Sequence, residues 1–431
     1  MLTVDDEQNT PVARSAAKGN GDRSDARDAA SSGGWRRPWR LIPGPDNTKG
    51  RVVRSAVAIV LTISLIMAMQ VGISVVGALR TPGNSSFKAK WADWLRDHNG
   101  NEVVNALETV YFTRDAPSKG GVPQHGVRRQ AAPKAFPGQK PAVQVAAPTT
   151  IPHLPAPAPV KLATTTGVAG EGQWQPTGPL VGGQPAIYYT AVRPDAEYTS
   201  ILVSLVYMDT KLLKVNLMPG SEEPSGQFLN PPVIAGPNLS KVVAGFNGGF
   251  RFKDGAGGFF LGGNQAVALQ NGKASMVIYK DGRVNIGQWG RELQLTPDVE
   301  AVRQNLVLLV DGGQRVPNLN PDDTSIWGNT LNGRVLVPRS GICVDTNGAL
   351  IYVAGPGLKI TNLADTMVRA GCVRGMELDI NYEWVTFNLF DHTNPADLSQ
   401  VTGRRLFQEQ QSPPSRYLSP NARDFFMVTV K

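Results

Sequence analysis

Two carboxylates at alternate positions, Glu377 and Asp379, followed by Asn381, lie in the stretch 372–384, CVRGMELDINYEW. On an extended strand these three side chains share one face, while Met376, Leu378 and Ile380 share the other. The carboxylates are then roughly 6.6 Å apart at their Cα atoms, near enough for one to give a proton and the other to take one on the same bound molecule. An ordinary solvated face with surface ion pairs has the same pattern. What separates the two is whether Asn247 and Arg339, beside the ends of other strand-like runs, reach the same place.

Asn247 follows KVVAGF (241–246) and falls in the densest glycine stretch, GFNGGFRFKDGAGGFFLGG (245–263). Gly248 and Gly249 can bring backbone N–H groups close to an anionic or polyhydroxyl ligand, or simply make a tight turn. The stretch has neither the phosphate loop G-x-x-x-x-G-K-[ST] nor a dinucleotide fingerprint in a βαβ context. Arg339 follows Pro338 at the entry to SGICVD (340–345). Its planar guanidinium suits two-pronged recognition of phosphate or carboxylate, although a surface arginine needs no ligand. Asp311, which ends NLVLLVDGG (305–313) with Gly312 and Gly313, is a further site edge or a turn residue.

The elements that must position these groups are mostly strands. Strand-like runs occur at 201–209, 241–246, 274–280, 305–313, 340–345 and 349–355. Asn271–Gly272, Asp281–Gly282, Asn332–Gly333 and Asn347–Gly348 punctuate them with hairpin-turn pairs. A helix-like segment, 361–370, runs into Gly371; its part 363–368 is one of the few convincing helical pieces, with Asn362 and Asp365 spaced as a capping box. The pattern predicts a mixed α+β, strand-rich domain over 187–431. No Rossmann-like βαβ series and no internal repeat is present.

Upstream of that domain the composition changes three times. Residues 1–54 are rich in Ser, Ala, Gly, Asp and Arg without aliphatic periodicity and predict a disordered tail. Residues 55–79, SAVAIVLTISLIMAMQVGISVVGAL, carry no formal charge and exceed the length needed to cross about 30 Å of hydrocarbon. Arg36, Arg37, Arg40, Lys49, Arg51 and Arg54 precede them, opposed by Asp46. That asymmetry predicts a single pass through the cell membrane, with a cytoplasmic N-terminus and an extracytoplasmic C-terminal domain. A cleaved signal peptide fits less well, because the polar leader is long and no A-x-A site precedes Arg80. Residues 80–115 have the spacing of short amphipathic helices, and 116–186 form a Pro-rich linker suited to a semi-extended spacer.

The 431 residues include 46 Gly and 33 Pro, with 18% charged residues and a formal net charge of +8. The basic residues are scattered, with no Lys/Arg block interleaved with aromatics in the C-terminal half, which argues against a nucleic-acid partner. The two cysteines, Cys343 and Cys372, fall on the proposed outer side, where an oxidising compartment favours a disulfide. Closing that loop contributes roughly 3–4 kcal/mol by the chain-entropy account. Two cysteines and four scattered histidines make no zinc or thiol-catalysis constellation. The sequence requires no cofactor; a divalent cation such as calcium stays open because no ligand pattern decides it. Oligomeric state is not encoded in any visible pattern.

The order NGGF (247–250), PRSGI (338–342), the Asp345–Asn347–Gly348 turn, the helix before Gly371 and Leu378–Asp379 resembles the phosphodiester glycosidase family over roughly 240–390. Its members hydrolyse sugar–phosphate diesters on the anomeric side. The resemblance implies pocket roles for Asn247, Arg339 and Asp379. One feature departs from it: the family's aspartate is followed by glycines and serine, DGGGS, whereas Asp379 precedes Ile380, Asn381, Tyr382 and Glu383. Bulky side chains there narrow the backbone's approach to a ligand, which points to a different polymer, a small glycoside, or a binding module.

The expected enzyme holds a glycosyl phosphodiester of an envelope glycan or glycoconjugate. Arg339 grips the diester, Asn247 with Gly248 and Gly249 fixes its oxygens, and Asp379 with Glu377 supplies acid–base chemistry. The alternatives are a non-catalytic glycan-binding or assembly module, and a structural scaffold. All three leave residues 55–79 in membrane lipid.

Overall fold

The computed structural model describes residues 48–81, 83, 85–100, 102–104, 106–107, 117–137, 151–254, 257–323, 326–327 and 336–431. The tail expected over 1–54 lies almost wholly outside them, as does the Asn332–Gly333 turn. The chain divides into two units, Met1–Ala68 and Met69–Lys431.

Helix α1 (Thr48–Arg80) covers the apolar segment expected at 55–79 and extends it at both ends. It is long and apolar enough to cross a membrane. Helix α2 (Phe87–Asp97) begins at Ser86, whose Oγ accepts from the Ala89 N–H as an N-cap. Its Trp91 indole donates to Ser74 Oγ at 2.8 Å. The Trp94 ring occupies the space a Cβ at position 77 would need, so Gly77 lets helix and indole meet.

The strands are β1 (Lys134–Ala135), β2 (Gln175–Val181), β3 (Gln184–Val192), β4 (Val203–Met208), β5 (Leu213–Met218) and β6 (Val242–Asn247). There follow β7 (Phe259–Leu261), β8 (Asn264–Val267), β9 (Ala274–Tyr279), β10 (Val284–Gln288), β11 (Val299–Gln304), β12 (Leu308–Asp311) and β13 (Gln314–Arg315). The chain closes with β14 (Val337–Asp345), β15 (Leu350–Leu358), helix α3 (Ile360–Arg369), β16 (Cys372–Glu377), β17 (Phe387–His392), β18 (Val401–Arg405) and β19 (Phe425–Val430).

Every strand-like run of the sequence overlaps an observed strand. Asp281–Gly282 joins β9 to β10 and Asn347–Gly348 joins β14 to β15, with φ of 84° and 82° at the glycines, where L side chains are strained. The packed region starts earlier than 187, because β2 and β3 begin at Gln175 and Gln184. Leu154, Val160 and Glu171 are buried too. The C-terminal part of the Pro-rich stretch thus lies against the fold.

A nine-stranded sheet runs β1-β2-β3-β4-β15-β14-β16-β12-β13, and two five-stranded sheets run β10-β9-β11-β7-β8 and β18-β17-β6-β19-β5. Phe246, Tyr352, Phe387 and Phe426 pack together in the core with ring centroids 5.0–5.7 Å apart. Helix α3 lays Ile360, Leu363, Ala364 and Met367 onto the nine-stranded sheet. That spacing forms one helical stripe, and each large side chain contributes about 1.5–3 kcal/mol by leaving water.

Gly341 on β14 and Gly375 on β16 make this approach feasible. A Cβ at position 341 would sit 2.4 Å from Met367 Cε, and one at position 375 would sit 2.7 Å from Met367 Sδ. Gly371, at φ 87°, ends the helix. Its N-terminus is capped by Asn362 Oδ1 accepting from the Lys359 N–H at 3.1 Å. Asp365, expected to share that capping role, pairs with Arg315 instead. The disulfide Cys343–Cys372 ties β14 to β16.

Candidate functional site

Strand order brings the ends of β6, β14, β16 and β19 to one place. Gly341 of β14 lies opposite Glu377 of β16, and Asn247 of β6 lies opposite Phe425 of β19. Ser340 joins the two groups of strands: its N–H donates to Asp379 O at 2.8 Å, and its Oγ accepts from Asn247 Nδ2 at 3.1 Å. Asn247, Arg339, Glu377 and Asp379 therefore lie close together.

They meet in the interior. All four are buried, with Glu377 fully so, and the solvated-face alternative does not hold. β16 ends at Glu377, so Asp379 sits just beyond the strand. Its Oδ1 accepts from the Asn381 N–H at 2.9 Å, which fixes a tight local turn.

Asn247 is occupied by the protein itself. Its Nδ2 donates to Ser340 Oγ and Gly248 O, and its Oδ1 accepts from the Tyr352 hydroxyl at 2.9 Å and the Thr386 N–H at 3.2 Å. That matches the full capacity of a primary amide, two donors and two acceptor lone pairs. The following glycines serve packing as well. A Cβ at position 248 would lie 2.1 Å from Asp424 Oδ2, and one at position 249 would lie 2.8 Å from Asn305 Oδ1.

Two carboxylate–guanidinium pairs form the centre of the cluster. Arg339 Nη1 donates to Glu377 Oε1 at 2.5 Å and to Trp327 O, while its Nε donates to Leu358 O. Burial pushes the Glu377 carboxyl up to about 7, against the pull of Arg339. Glu377 Oε2 is buried with no hydrogen-bond partner among the described residues. The neutral form lowers the cost of burying that carboxyl, while Oε2 itself stays unsatisfied.

Asp379 is also pushed up by burial, opposed by Arg423, whose Nη2 lies 2.9 Å from Asp379 Oδ2. Arg423 also donates to Gly249 O at 3.3 Å. Its guanidinium lies 4.3 Å from the ring centroid of Trp384, and that of Arg416 lies 3.9 Å from it. Arg303, fully buried, clasps Asp424 through Nε and Nη2 and holds the chain entering β19.

Arg423 differs from Arg339 in having an opening beside it. A cavity of about 20 Å³ is lined by Arg423, Trp384, Glu222, Glu223, Arg251 and, from α2, Lys90 and Asp93. That is room for roughly one water. Asp311 does not join the cluster. It ends β12 away from Glu377 and pairs with Arg291 at 2.7 Å. Among the described residues no group of three or more His, Cys, Asp or Glu is arranged to hold a metal ion.

Sequence reasoning overlooked Arg423, Trp384 and Arg251. Arg423 and Asp424 precede the apolar run FFMVTV, so charge at the entry to a final strand was the available signal. Trp384 lay inside the highlighted stretch without a role, and nothing local marks Arg251.

Residues 240–379 match the family model described as phosphodiester glycosidase. No curated protein matches the chain. Among solved structures the zebrafish N-acetylglucosamine-1-phosphodiester alpha-N-acetylglucosaminidase catalytic domain, auto-inhibited by pro-peptide, is similar at 16% identity and a TM-score of 0.38. The match covers 57% of this chain and 82% of that one. A hypothetical protein from Synechocystis is similar at 12% identity and a TM-score of 0.35, over 60% of this chain and 64% of that one.

Proposed function

For a chain related to the phosphodiester glycosidase family over residues 240–379, we propose a membrane-anchored, extracytoplasmic hydrolase of glycosyl phosphodiester bonds in envelope glycans or glycoconjugates. The observation that carries this reading is the pair of buried carboxylates, Glu377 and Asp379, each facing its own guanidinium beside the Asn247–Gly248–Gly249 loop. Carboxyls raised towards neutrality are suited to give and take protons. Water adds to the anomeric carbon, the bond from that carbon to the phosphate oxygen breaks, and the sugar leaves a phosphomonoester behind. One carboxyl takes the water proton and the other protonates or steadies the departing phosphate oxygen. Arg423, at the cavity wall, is better placed than the engaged Arg339 to steady the charge on that oxygen.

Anchoring through α1 and the cytoplasmic placement of the N-terminus rest on the apolar helix and the arginines and lysines before it. The disulfide accords with an oxidising outer compartment.

The test is release of free sugar from a panel of glycosyl phosphodiesters by the full chain in detergent. Asp379→Asn and Glu377→Gln should each lower release at least a hundredfold while thermal unfolding stays cooperative. Full activity in both variants would refute the assignment. A second reading, a binding or assembly module on the same fold, is favoured by the water-sized cavity. It expects glycan binding with no sugar released by the unaltered chain.

A further inference from the structure

Helix α2 is fastened to the domain at both ends, and at its C-terminus one carboxylate is shared by two cations. Asp97, its last residue, places Oδ1 at 2.8 Å from Arg251 Nη2 and 2.6 Å from Lys253 Nζ, while Oδ2 is 3.0 Å from the same Arg251 nitrogen. At the other end Ser86 Oγ donates to Glu383 Oε1 at 2.7 Å. Between them, Lys90 and Asp93, three residues apart and so on one helical face, line the cavity beside Arg423. Arg251 is itself aligned by Glu223 at 2.8 Å, and its Nη1 is buried with no hydrogen-bond partner among the described residues.

A guanidinium with an unfilled N–H, next to a lysine and a cavity, is equipped to hold an oxyanion. Burial raises the Asp97 carboxyl, but hydrogen bonds from Arg251 and Lys253 outweigh it and hold Asp97 low. Its carboxylate is therefore charged at neutral pH and presents two oxygens where a phosphate would present two.

We infer that Arg251 and Lys253 form an anion subsite for the phosphate of a phosphorylated glycan, and that Asp97 of α2 occupies it as an internal substitute. The ligand class rests on the hydrolase reading above; the subsite itself rests on the contacts. Helix α2 and the ligand then compete for one position. Arg251 reaches both the cavity and Asp97, and ligand entry at the Arg251–Lys253 pair requires Asp97 to leave.

The test uses the full chain in detergent, with inorganic phosphate and dimethyl phosphate as probes and calorimetric titration as the readout. Asp97→Asn should tighten binding of at least one probe about tenfold, equivalent to about 1.4 kcal/mol. Adding Arg251→Gln and Lys253→Gln to that variant should abolish the gain. Unchanged binding in Asp97→Asn, or a gain that survives loss of both cations, overturns the inference. If Asp97→Asn lowers the melting temperature, Ala92→Pro, which breaks α2 without altering either charge, is read by the same criteria. Probe binding without sugar release would remove the hydrolase reading alone. Sugar release with no response to Asp97→Asn would remove the subsite alone.

Discussion

Arg339 and Arg423 are both buried and each is paired with a carboxylate, yet they lie in different surroundings. Arg339 is 1% exposed, with Nε and Nη1 engaged by Leu358 O, Trp327 O and Glu377. Arg423 is 10% exposed, pairs with Asp379, lies over Trp384 and lines a cavity. A charge surrounded by fixed partners holds strands in register. A charge at a cavity wall can exchange a protein partner for a ligand. The arginine expected from the sequence is thus the more structural of the two, and the one overlooked in the sequence is the better candidate for binding.

That contrast is open to direct attack, with the largest expected effect first. Arg339→Ala leaves Glu377 buried without its cation, and breaking such a pair costs about 3–5 kcal/mol. Urea unfolding should show the loss; a variant as stable as the parent would erase the contrast. Arg423→Ala should cost less, about 1.5–3 kcal/mol, while weakening glycan or phosphate binding more than any stability loss explains. Equal effects of the two substitutions on binding would merge the two regions.

Glu377 adds a pH dependence. Its carboxyl titrates at 4.5 when unperturbed and at about 7 in the fold, so the folded state holds the proton more tightly. The resulting stabilisation is fully present below 4.5 and is lost as pH rises towards 7. Unfolding free energy should decline across that window in the parent and flatten in Glu377→Gln. A decline of the same slope in both would assign the titration elsewhere. The smallest effect belongs at the rim. Lys253, whose side chain is 45% exposed against Asp97, should change stability by no more than about 1 kcal/mol as Lys253→Gln.

Much of the fold was legible because its signals are local. The run KVVAGF became β6, 361–370 became α3 within a residue at each end, and the hairpin pairs at 281–282 and 347–348 sit where the chain reverses. The early start at β2 was hidden by prolines, which discourage a strand assignment yet are tolerated towards a sheet edge. Of the candidate site, Asn247, Arg339, Glu377 and Asp379 do converge, but their burial was not legible. Alternating polar residues after Gly371 read the same whether water or another strand covers them. Asp311 shared the apolar-strand-then-glycine signature of Asn247 and still fell elsewhere, because β12 runs antiparallel to β16 and carries its end away from Glu377.

The sequence by itself determined where strands, turns and the apolar helix lie, since side-chain alternation, glycine conformations and uncharged length act within a few residues of each other. Its two cysteines also left one intramolecular disulfide pairing. Only the tertiary structure decided which charges face each other. Asp379 meets Arg423 from 44 residues away, and Asp97 meets Arg251 from 154 residues away. Those encounters follow from strand order and from where α2 comes to rest, and neither leaves a periodic trace in the chain.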